Sequence, residues 1–298
     1  MESGTVKLLN MLHDRVRKLC DAGQWEEAMH AATAAVEKAR GALNEDDPKS
    51  TEKLSASLEV KGDFLRRYGN LEEARKAYFE ALELLAGKPT YTEALARISA
   101  SVAVVYETGG NTDEAITFYE RSIKLFERMD PPSMIDVASL CNNLAYIHKG
   151  CGDYDTAENL YLKALEIYHD QLGPEDEETA AICNNVGALY MAVGCYEQAR
   201  EMFMMALDAR RKVFGEKHLE TAQAYANLAV ALSHTDEAKW AKKNFGSALK
   251  IYENMVKEAP MDYATVSANY VDFLREQGDS KGAAAMEKRA SKMIKKAS

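Results

Sequence analysis

Asparagine recurs at a fixed interval in the second half of the chain, and its side-chain amide is suited to binding a peptide. The row, at steps of 42 residues, consists of Asn143, Asn185, Asn227 and Asn269, and further asparagines, Asn142 and Asn184, precede its first two members. A side-chain amide offers a donor and an acceptor, which matches the backbone of an extended peptide. Asparagine is unfavourable inside helices, so its repetition there indicates a role beyond helix formation. The amides could bind a ligand or hydrogen-bond the neighbouring helix, and the sequence leaves both roles open.

Other side chains are predicted to share this surface and to set the preference for a ligand. Counting along the same helices, and along the equivalent helices nearer the N-terminus, gives Arg66, Arg97, Tyr146, Lys149, Met191 and Arg275. The cations would suit an acidic peptide, whereas the tyrosine or the methionine could hold an apolar residue. Charged residues on a helical surface often serve only solvation, and that alternative stays open here as well.

A basic segment forms the last predicted helix. The proposed basic patch consists of Lys288, Arg289, Lys292, Lys295 and Lys296, and the only acid between residues 281 and 296 is Glu287. Cations are favourable near the C-terminus of a helix, and a terminal helix needs a polar outer face. The alternative is a patch that contacts an acidic protein partner or, peripherally, an anionic membrane surface.

The sequence contains no pattern typical of catalysis. A glycine-rich phosphate loop, an HExxH motif and a GxSxG motif are all lacking, and the six histidines are scattered along the chain. The five cysteines include no CxxC pair and have no histidine at ligand spacing, which predicts free thiols in a reducing compartment. We therefore expect a protein that is not an enzyme and that needs no cofactor and no metal.

Composition narrows the range of partners. The formal net charge of −10 would repel phosphates, so a nucleic-acid partner is not expected. No apolar run approaches the length needed for a transmembrane segment, and the first residues lack the pattern of a secretion signal. These features predict a cytoplasmic protein.

The elements that carry the asparagines are predicted from an internal repeat. The phrase LCNNLAYIHKGCGDY at 140–154 returns as ICNNVGALYMAVGCY at 182–196. Equivalent turn positions are Gly23, Gly69, Gly110, Gly152, Gly194, Asp236 and Gly278. Self-similarity at this period is typical of stacked helical repeats.

Each unit repeats one pattern of helix, turn and helix. A small residue follows the turn by five positions, as at Ala157 and Ala199, and an aromatic follows four residues later, as at Tyr161 and Phe203. Small residues let two helices approach closely while the aromatic fills the space beside them. Glycines near the ends of the second helices are predicted to be left-handed caps: Gly41, Gly87, Gly173 and Gly215. The predicted fold is an all-α solenoid with one domain at 1–298 and seven repeats, at about 5–44, 50–88, 91–130, 133–172, 175–214, 217–258 and 261–298, the last acting as a cap.

This pattern resembles the tetratricopeptide repeat, whose usual period is shorter. The length of the repeat, the NNLA and NNVG phrases and the linkers LGPEDEETA (172–180) and FGEKHLETA (214–222) are similar to those of the kinesin light chain subgroup, including its bacterial members. The resemblance implies a right-handed superhelix whose first helices line a concave groove. It also implies that asparagines at this position contact bound peptides, which in kinesin light chains are acidic and contain tryptophan. Bacterial members are associated with bacterial tubulin, which implies a cytoskeletal role.

The predicted function is that of a scaffold or adaptor for protein partners. It would bind an extended peptide or a partner's tail in the concave groove, and the partner would be tubulin, a cargo adaptor or another protein with an acidic segment. Two alternatives stay open: a regulatory sensor that closes on a signalling peptide, and a structural array that assembles through its end repeats. No sustained heptad run precedes the first predicted helix pair, so linkage to a kinesin motor is not expected.

Overall fold

The fold is a series of helix pairs. A computed structural model describes residues 1–44 and 46–297, and within those residues the regular structure consists of fourteen α-helices and one short 3-10 helix, without strands. The chain divides into two compact units, Met1–Leu140 and Cys141–Ser298. Helix α7, Met134–Gly150, contains the point of division. The all-α class and the seven predicted helix pairs are confirmed.

The first unit contains three complete helix pairs. Its helices are α1 (Ser3–Asp21), α2 (Trp25–Gly41), α3 (Pro48–Arg67), α4 (Leu71–Leu85), α5 (Thr92–Thr108) and α6 (Thr112–Glu127), with the 3-10 helix at Pro89–Tyr91. Proline begins α3 and the 3-10 helix, where its missing N–H costs no hydrogen bond. The core is continuous from Leu9 in α1 to Val105 in α5, so each pair is covered by the next.

The second unit holds the remaining helices. They are α8 (Tyr154–Leu172), α9 (Glu177–Ala192), α10 (Tyr196–Phe214), α11 (Leu219–Ser233), α12 (Ala238–Asn254), α13 (Pro260–Glu276) and α14 (Ser280–Ala297). A core of alanines and aromatics runs from Ala199 in α10 to Ala290 in α14. Met286 and Ala290 place one face of α14 in this core.

Most turns inside the helix pairs depend on one glycine. The turn glycines, whose φ values lie between 68° and 89°, are Gly23, Gly69, Gly110, Gly152, Gly194 and Gly278. Asp236 occupies the sixth of the seven equivalent positions, and there the turn contains the four residues 234–237 and no left-handed residue. An aspartate adopts the left-handed region less readily than glycine does, which agrees with the longer connection.

One of the four predicted glycine caps differs from the others in outcome. Gly173 and Gly215 have φ values of 92° and 85° and end α8 and α10, and Gly87 follows α4 with φ 73°, as predicted. The prediction for Gly41 was wrong, because it is the last residue inside α2 and its φ is not positive. The C-cap of α2 is instead Ala42, so a glycine near a helix end did not mark the cap there.

Close contact within a helix pair depends on a small residue facing an aromatic ring. A Cβ added at Gly187 of α9 would lie 2.7 Å from Cε1 of Phe203 in α10, and one added at Gly62 of α3 would lie 2.6 Å from Cε1 of Tyr78 in α4. Phe203 and Tyr78 are themselves buried. Gly187 and Gly62 therefore allow the two helices of their pairs to approach closely.

The linkers between pairs in the second unit share one hydrogen-bonding arrangement. The Thr179 hydroxyl donates to the Gly173 carbonyl at 2.8 Å, and the Thr221 hydroxyl donates to the Gly215 carbonyl at 2.7 Å. Asp176 and His218 cap the N-termini of α9 and α11 by accepting from backbone N–H groups. In both of the similar linkers, LGPEDEETA and FGEKHLETA, the threonine hydroxyl thus bonds to the carbonyl of the glycine that follows the preceding helix.

None of the described helices combines the length and the apolar character needed to cross a membrane.

Candidate ligand-binding surface of the first helices

The asparagine row of the second unit is a chain of hydrogen bonds between first helices. The Asn185 Nδ2 of α9 donates to Oδ1 of Asn142 in α7 at 2.8 Å. The Asn227 Nδ2 of α11 donates to Oδ1 of Asn184 in α9 at 2.6 Å. Asn142 also donates to Asn143 at 3.4 Å. Each bond between helices joins residues 43 positions apart, so an asparagine of the row meets the first asparagine of the pair on the preceding first helix.

These amides are only half-buried and retain capacity for other partners. Asn142, Asn143, Asn184, Asn185 and Asn227 all have intermediate exposure. An amide has two donor hydrogens and an acceptor oxygen with two lone pairs, and each bond between the helices uses one donor and one lone pair. The neighbouring helix therefore fixes the orientation of the amides without using all of their donors and acceptors. Contact with the neighbouring helix and binding of a ligand, the two roles left open by the sequence, are thus compatible.

The fourth member of the row, Asn269, has a different environment. The position 43 residues before it is Ala226, which is buried and has no polar side chain, and Asn269 is exposed on α13. It lines a cavity of about 130 Å³ together with His234 and Phe273. The hydrogen-bonded row thus ends at α11, and Asn269 lies beside a small cavity instead.

Tyr146 and Lys149 lie together at the end of α7 on the second unit. The Tyr146 side chain is 62% exposed, and the Lys149 Nζ lies 5.8 Å from the centroid of its ring. Met191 is half-buried and packs against the core of this unit. The exposed tyrosine with a neighbouring ammonium is therefore the most accessible apolar element near the amides, and Met191 is partly committed to packing.

Arg97, one of the predicted cations of the first unit, already has an acidic partner. Arg97 of α5 donates from Nε and an amino nitrogen to the two oxygens of Glu59 in α3, at 2.6 and 2.9 Å. These hydrogen bonds raise the pKa of the Arg97 guanidinium, since they favour its charged form. Sequence inspection did not find Glu59 because it lies 38 residues from its partner. Arg97 is thus neutralised within the chain.

The surroundings of Arg66 are also acidic. The Asp63 carboxyl lies nearby in α3 and accepts from the Tyr78 hydroxyl at 2.6 Å. Burial raises the pKa of Asp63, although the hydrogen bond from Tyr78 and the charges of Arg66 and Arg97 oppose that rise. The surface of the first unit therefore carries a balanced cluster of charges rather than a free cationic one.

At the C-terminal end, the cations fall into a paired group and a free group. Arg275 contacts Asp272 and Glu287, and Arg289 pairs with Glu253 of α12. The exposed cations of the basic patch without a described ion pair are Lys288, Lys292, Lys295 and Lys296. The charge available to a partner is therefore that of the four lysines.

The described residues include no group of three or more side chains suited to holding a metal ion. Burial raises the pKa of the Cys183 thiol to about 11, so it stays protonated and unreactive at neutral pH. His13 packs inside the first unit, where its Nε2 lies 2.8 Å from the Ser57 hydroxyl.

Sequence comparison assigns the chain to a family. The model of the tetratricopeptide repeat family matches residues 53–128, 136–190 and 180–254, which is more than half of the chain. The protein therefore belongs to the tetratricopeptide repeat family, whose fold is a scaffold for contacts with other proteins. No curated protein sequence matches it significantly.

Several solved structures of repeat proteins are similar to this chain. BtubC (BKLC) from P. vanneervenii is 26% identical, with a TM-score of 0.68 over 78% of this chain and 92% of that one. Kinesin light chain tetratricopeptide-like repeats from P. anserina are 16% identical, with a TM-score of 0.58 over 67% and 95%. A signal transduction ATPase with a tetratricopeptide repeat sensor from Pyrococcus horikoshii is 15% identical, with a TM-score of 0.75 over 94% and 41%. The similarity to kinesin light chain-like repeat proteins is thereby confirmed.

Proposed function

We propose that this protein is a non-catalytic cytoplasmic adaptor that binds an extended peptide segment of a protein partner along α7, α9 and α11. The observation that carries the proposal is the row of half-buried amides joined from helix to helix at 2.8 and 2.6 Å. In tetratricopeptide arrays the first helices line the concave side, so a ligand would lie across them.

The hydrogen bonds between the amides favour binding because they orient the groups before a ligand arrives. A free asparagine side chain would lose rotational freedom on binding, whereas Asn185 and Asn227 are already held by the preceding helix. Their remaining donors and acceptors can then meet backbone groups of a ligand at the spacing of the helices. The row would recognise an extended chain largely independently of its sequence.

Selectivity would come from Tyr146 and Lys149. Their side chains offer an exposed ring and an ammonium group within 5.8 Å of each other. An apolar or aromatic residue of the ligand can pack on the ring, and a neighbouring acidic residue can pair with the ammonium group. Arg97 contributes less than expected, because Glu59 already neutralises it.

Replacing Asn143 and Asn185 together by alanine is expected to weaken peptide binding by about tenfold or more, since hydrogen bonds are worth about 1 kcal/mol each. The melting temperature should change little, because alanine's better helix propensity offsets much of the lost bond to Asn142. Peptides selected by phage display on the wild-type protein supply the ligand, and isothermal titration calorimetry measures its dissociation constant for both proteins.

Asn159→Ala is the matched control. Asn159 lies on the second helix α8 and bonds only to the Asp155 carbonyl of its own helix, so its loss should leave peptide affinity unchanged. A large drop in melting temperature with unchanged affinity in the double variant would contradict the proposal and make the row purely structural.

The kinesin light chain resemblance supports a finer assignment of the partner, to tubulin or a cargo adaptor with an acidic segment. The four exposed lysines of α14 are suited to such a segment. Their charge lies on the outer face of the helix, whereas Met286 and Ala290 on its other face are buried. Charge can therefore be removed there without disturbing the core.

Changing Lys288, Lys292, Lys295 and Lys296 together to glutamine is expected to abolish cosedimentation with tubulin filaments that retain their acidic tails. Loss of about 1 kcal/mol per lysine at an anionic surface would account for that effect. The comparison with filaments lacking the tails, and with phosphatidylserine vesicles, identifies the anionic partner. Equal cosedimentation of the variant and the wild type would exclude the basic patch as the contact.

A further inference from the structure

A pocket rich in aromatic residues lies in the first unit, between the start of α2 and the end of α3. Its volume is about 430 Å³, and it is lined by Trp25, Glu26, Met29, His30, Phe64 and Tyr68. That volume lies in the range of pockets that hold small ligands or single side chains. None of these residues belongs to the asparagine row, which lies in the other unit.

Three rings form the walls of this aromatic pocket. The centroids of Trp25 and Tyr68 are 6.0 Å apart and those of Trp25 and Phe64 are 6.5 Å apart, with the planes tilted by 50° and 45°. Phe64 and Tyr68 are stacked at 5.9 Å. Phe64 is buried, whereas Tyr68 is 56% exposed and Trp25 is half-buried. The pocket therefore has a buried base and two partly accessible rings set at an angle.

The charge at the pocket is acidic. Glu26 is exposed, and no ion pair is described for it, whereas the nearby Arg67 pairs with Asp21 at 3.1 Å. The other polar lining residue is His30. Aromatic faces attract cations through their quadrupole, and a carboxylate beside them adds a charge-assisted hydrogen bond. The ligand that fits this combination is an organic cation.

We propose that the aromatic pocket binds the guanidinium group of an arginine side chain from a protein partner. A guanidinium is planar and weakly hydrated, so it can stack on Tyr68 or Trp25 and still present paired N–H groups to the Glu26 carboxylate. An ammonium group is a compact, strongly hydrated charge and would gain less from the flat rings. The site lies on the first unit, so a partner can use it independently of the peptide surface on the second unit.

The chain allows a direct optical test because Trp25 is one of only two tryptophans. Trp240→Phe removes the other tryptophan, which lies on α12 in the second unit, and leaves Trp25 as the sole tryptophan emitter. Titration with an acetylated Gly-Arg-Gly amide should change that emission saturably in the millimolar range. The same peptide with citrulline in place of arginine keeps the shape but lacks the charge, and it should give no saturable change.

Glu26→Gln in this background is expected to weaken arginine binding by about tenfold, the loss typical of a hydrogen bond to a charged group. Glu27→Gln is the matched control, because it alters an adjacent exposed acid that does not line the pocket. Equal binding of the citrulline peptide, an equal loss in both variants, or no saturation with arginine would each overturn the proposal. The Asn143 and Asn185 substitutions should leave this binding unchanged, so the two sites can fail separately.

Discussion

Replacing Gly187 with alanine is expected to lower the free energy of unfolding by about 1 to 3 kcal/mol, the usual cost of overpacking a core. The added Cβ would lie 2.7 Å from Cε1 of Phe203, whose ring is buried between α9 and α10. The ring cannot move aside without disturbing its own neighbours. Urea denaturation followed by circular dichroism measures the change.

Gly246→Ala provides the control for helix propensity. Gly246 lies in α12, is exposed, and has no atom within 4 Å of an added Cβ. Alanine should stabilise the protein there by about 0.5 to 1 kcal/mol through propensity alone. If Gly187→Ala stabilised the protein to the same extent, the close approach of α9 to α10 would not restrict that position.

Lowering the pH from 7 to 5 is expected to reduce the stability of the protein through His13. Burial in the first unit, with the charges of Lys53 and Arg17, lowers the pKa of His13 from 6.5 to about 4, and Asp14 opposes the shift only weakly. Below pH 6.5 the unfolded chain binds a proton at this histidine, whereas the folded chain binds it only as the pH approaches 4. The full stability is therefore present above pH 6.5 and is lost as the pH falls towards 4. A shift of this size corresponds to a loss of about 2 kcal/mol by pH 5.

His13→Gln isolates this contribution. Glutamine can retain a hydrogen bond to the Ser57 hydroxyl, which lies 2.8 Å from the histidine Nε2, but it does not titrate. Denaturant midpoints measured at half-unit intervals from pH 7 to 5 should fall steeply for the wild type and less steeply for the variant. Parallel curves for the two proteins would show that His13 is not the titrating group.

The period of the sequence predicted the fold well because each repeat uses the same local chemistry. Glycines such as Gly152 and Gly194 take a left-handed conformation that few other residues adopt, so their spacing gives the positions of the turns. The prediction was wrong at Gly41, where the residue ends a helix in ordinary helical conformation. Glycine permits a left-handed cap but does not require one, and the surrounding packing determines which backbone conformation the glycine adopts.

The candidate site was only partly predictable. The position of Asn185 beside Val186 follows from the helical period, and in the structure Asn185 is half-buried whereas Val186 is buried. Its bond to Asn142 instead of Asn143 depends on the stagger of α9 against α7, which the repeat length alone does not give. The pairing of Arg97 with Glu59 similarly depends on which faces of α3 and α5 meet.

The pocket beside Trp25 was not predicted, because one of its three rings, Tyr68, has no aromatic counterpart in the later repeats. The turn residue Tyr68 corresponds to Cys151 and Val193 in later repeats, so the repeat pattern does not predict an aromatic residue at this position. Its rings come together only when α2 packs on α3. A search for aromatic residues near successive turns would have found the signal.

The linkers have a consequence for how each unit folds. The Thr179 hydroxyl reaches back only six residues to the Gly173 carbonyl, and the bond from Asn185 to Asn142 joins one helix pair to the next. The first contact closes a loop of six residues, and the second, across 43 residues, joins only neighbouring helix pairs, so both cost less chain entropy than contacts between distant repeats would, which favours fast folding. Within each unit, folding can begin at any helix pair and spread to its neighbours, and the threonine of the linker sets the position of the next helix as soon as it forms.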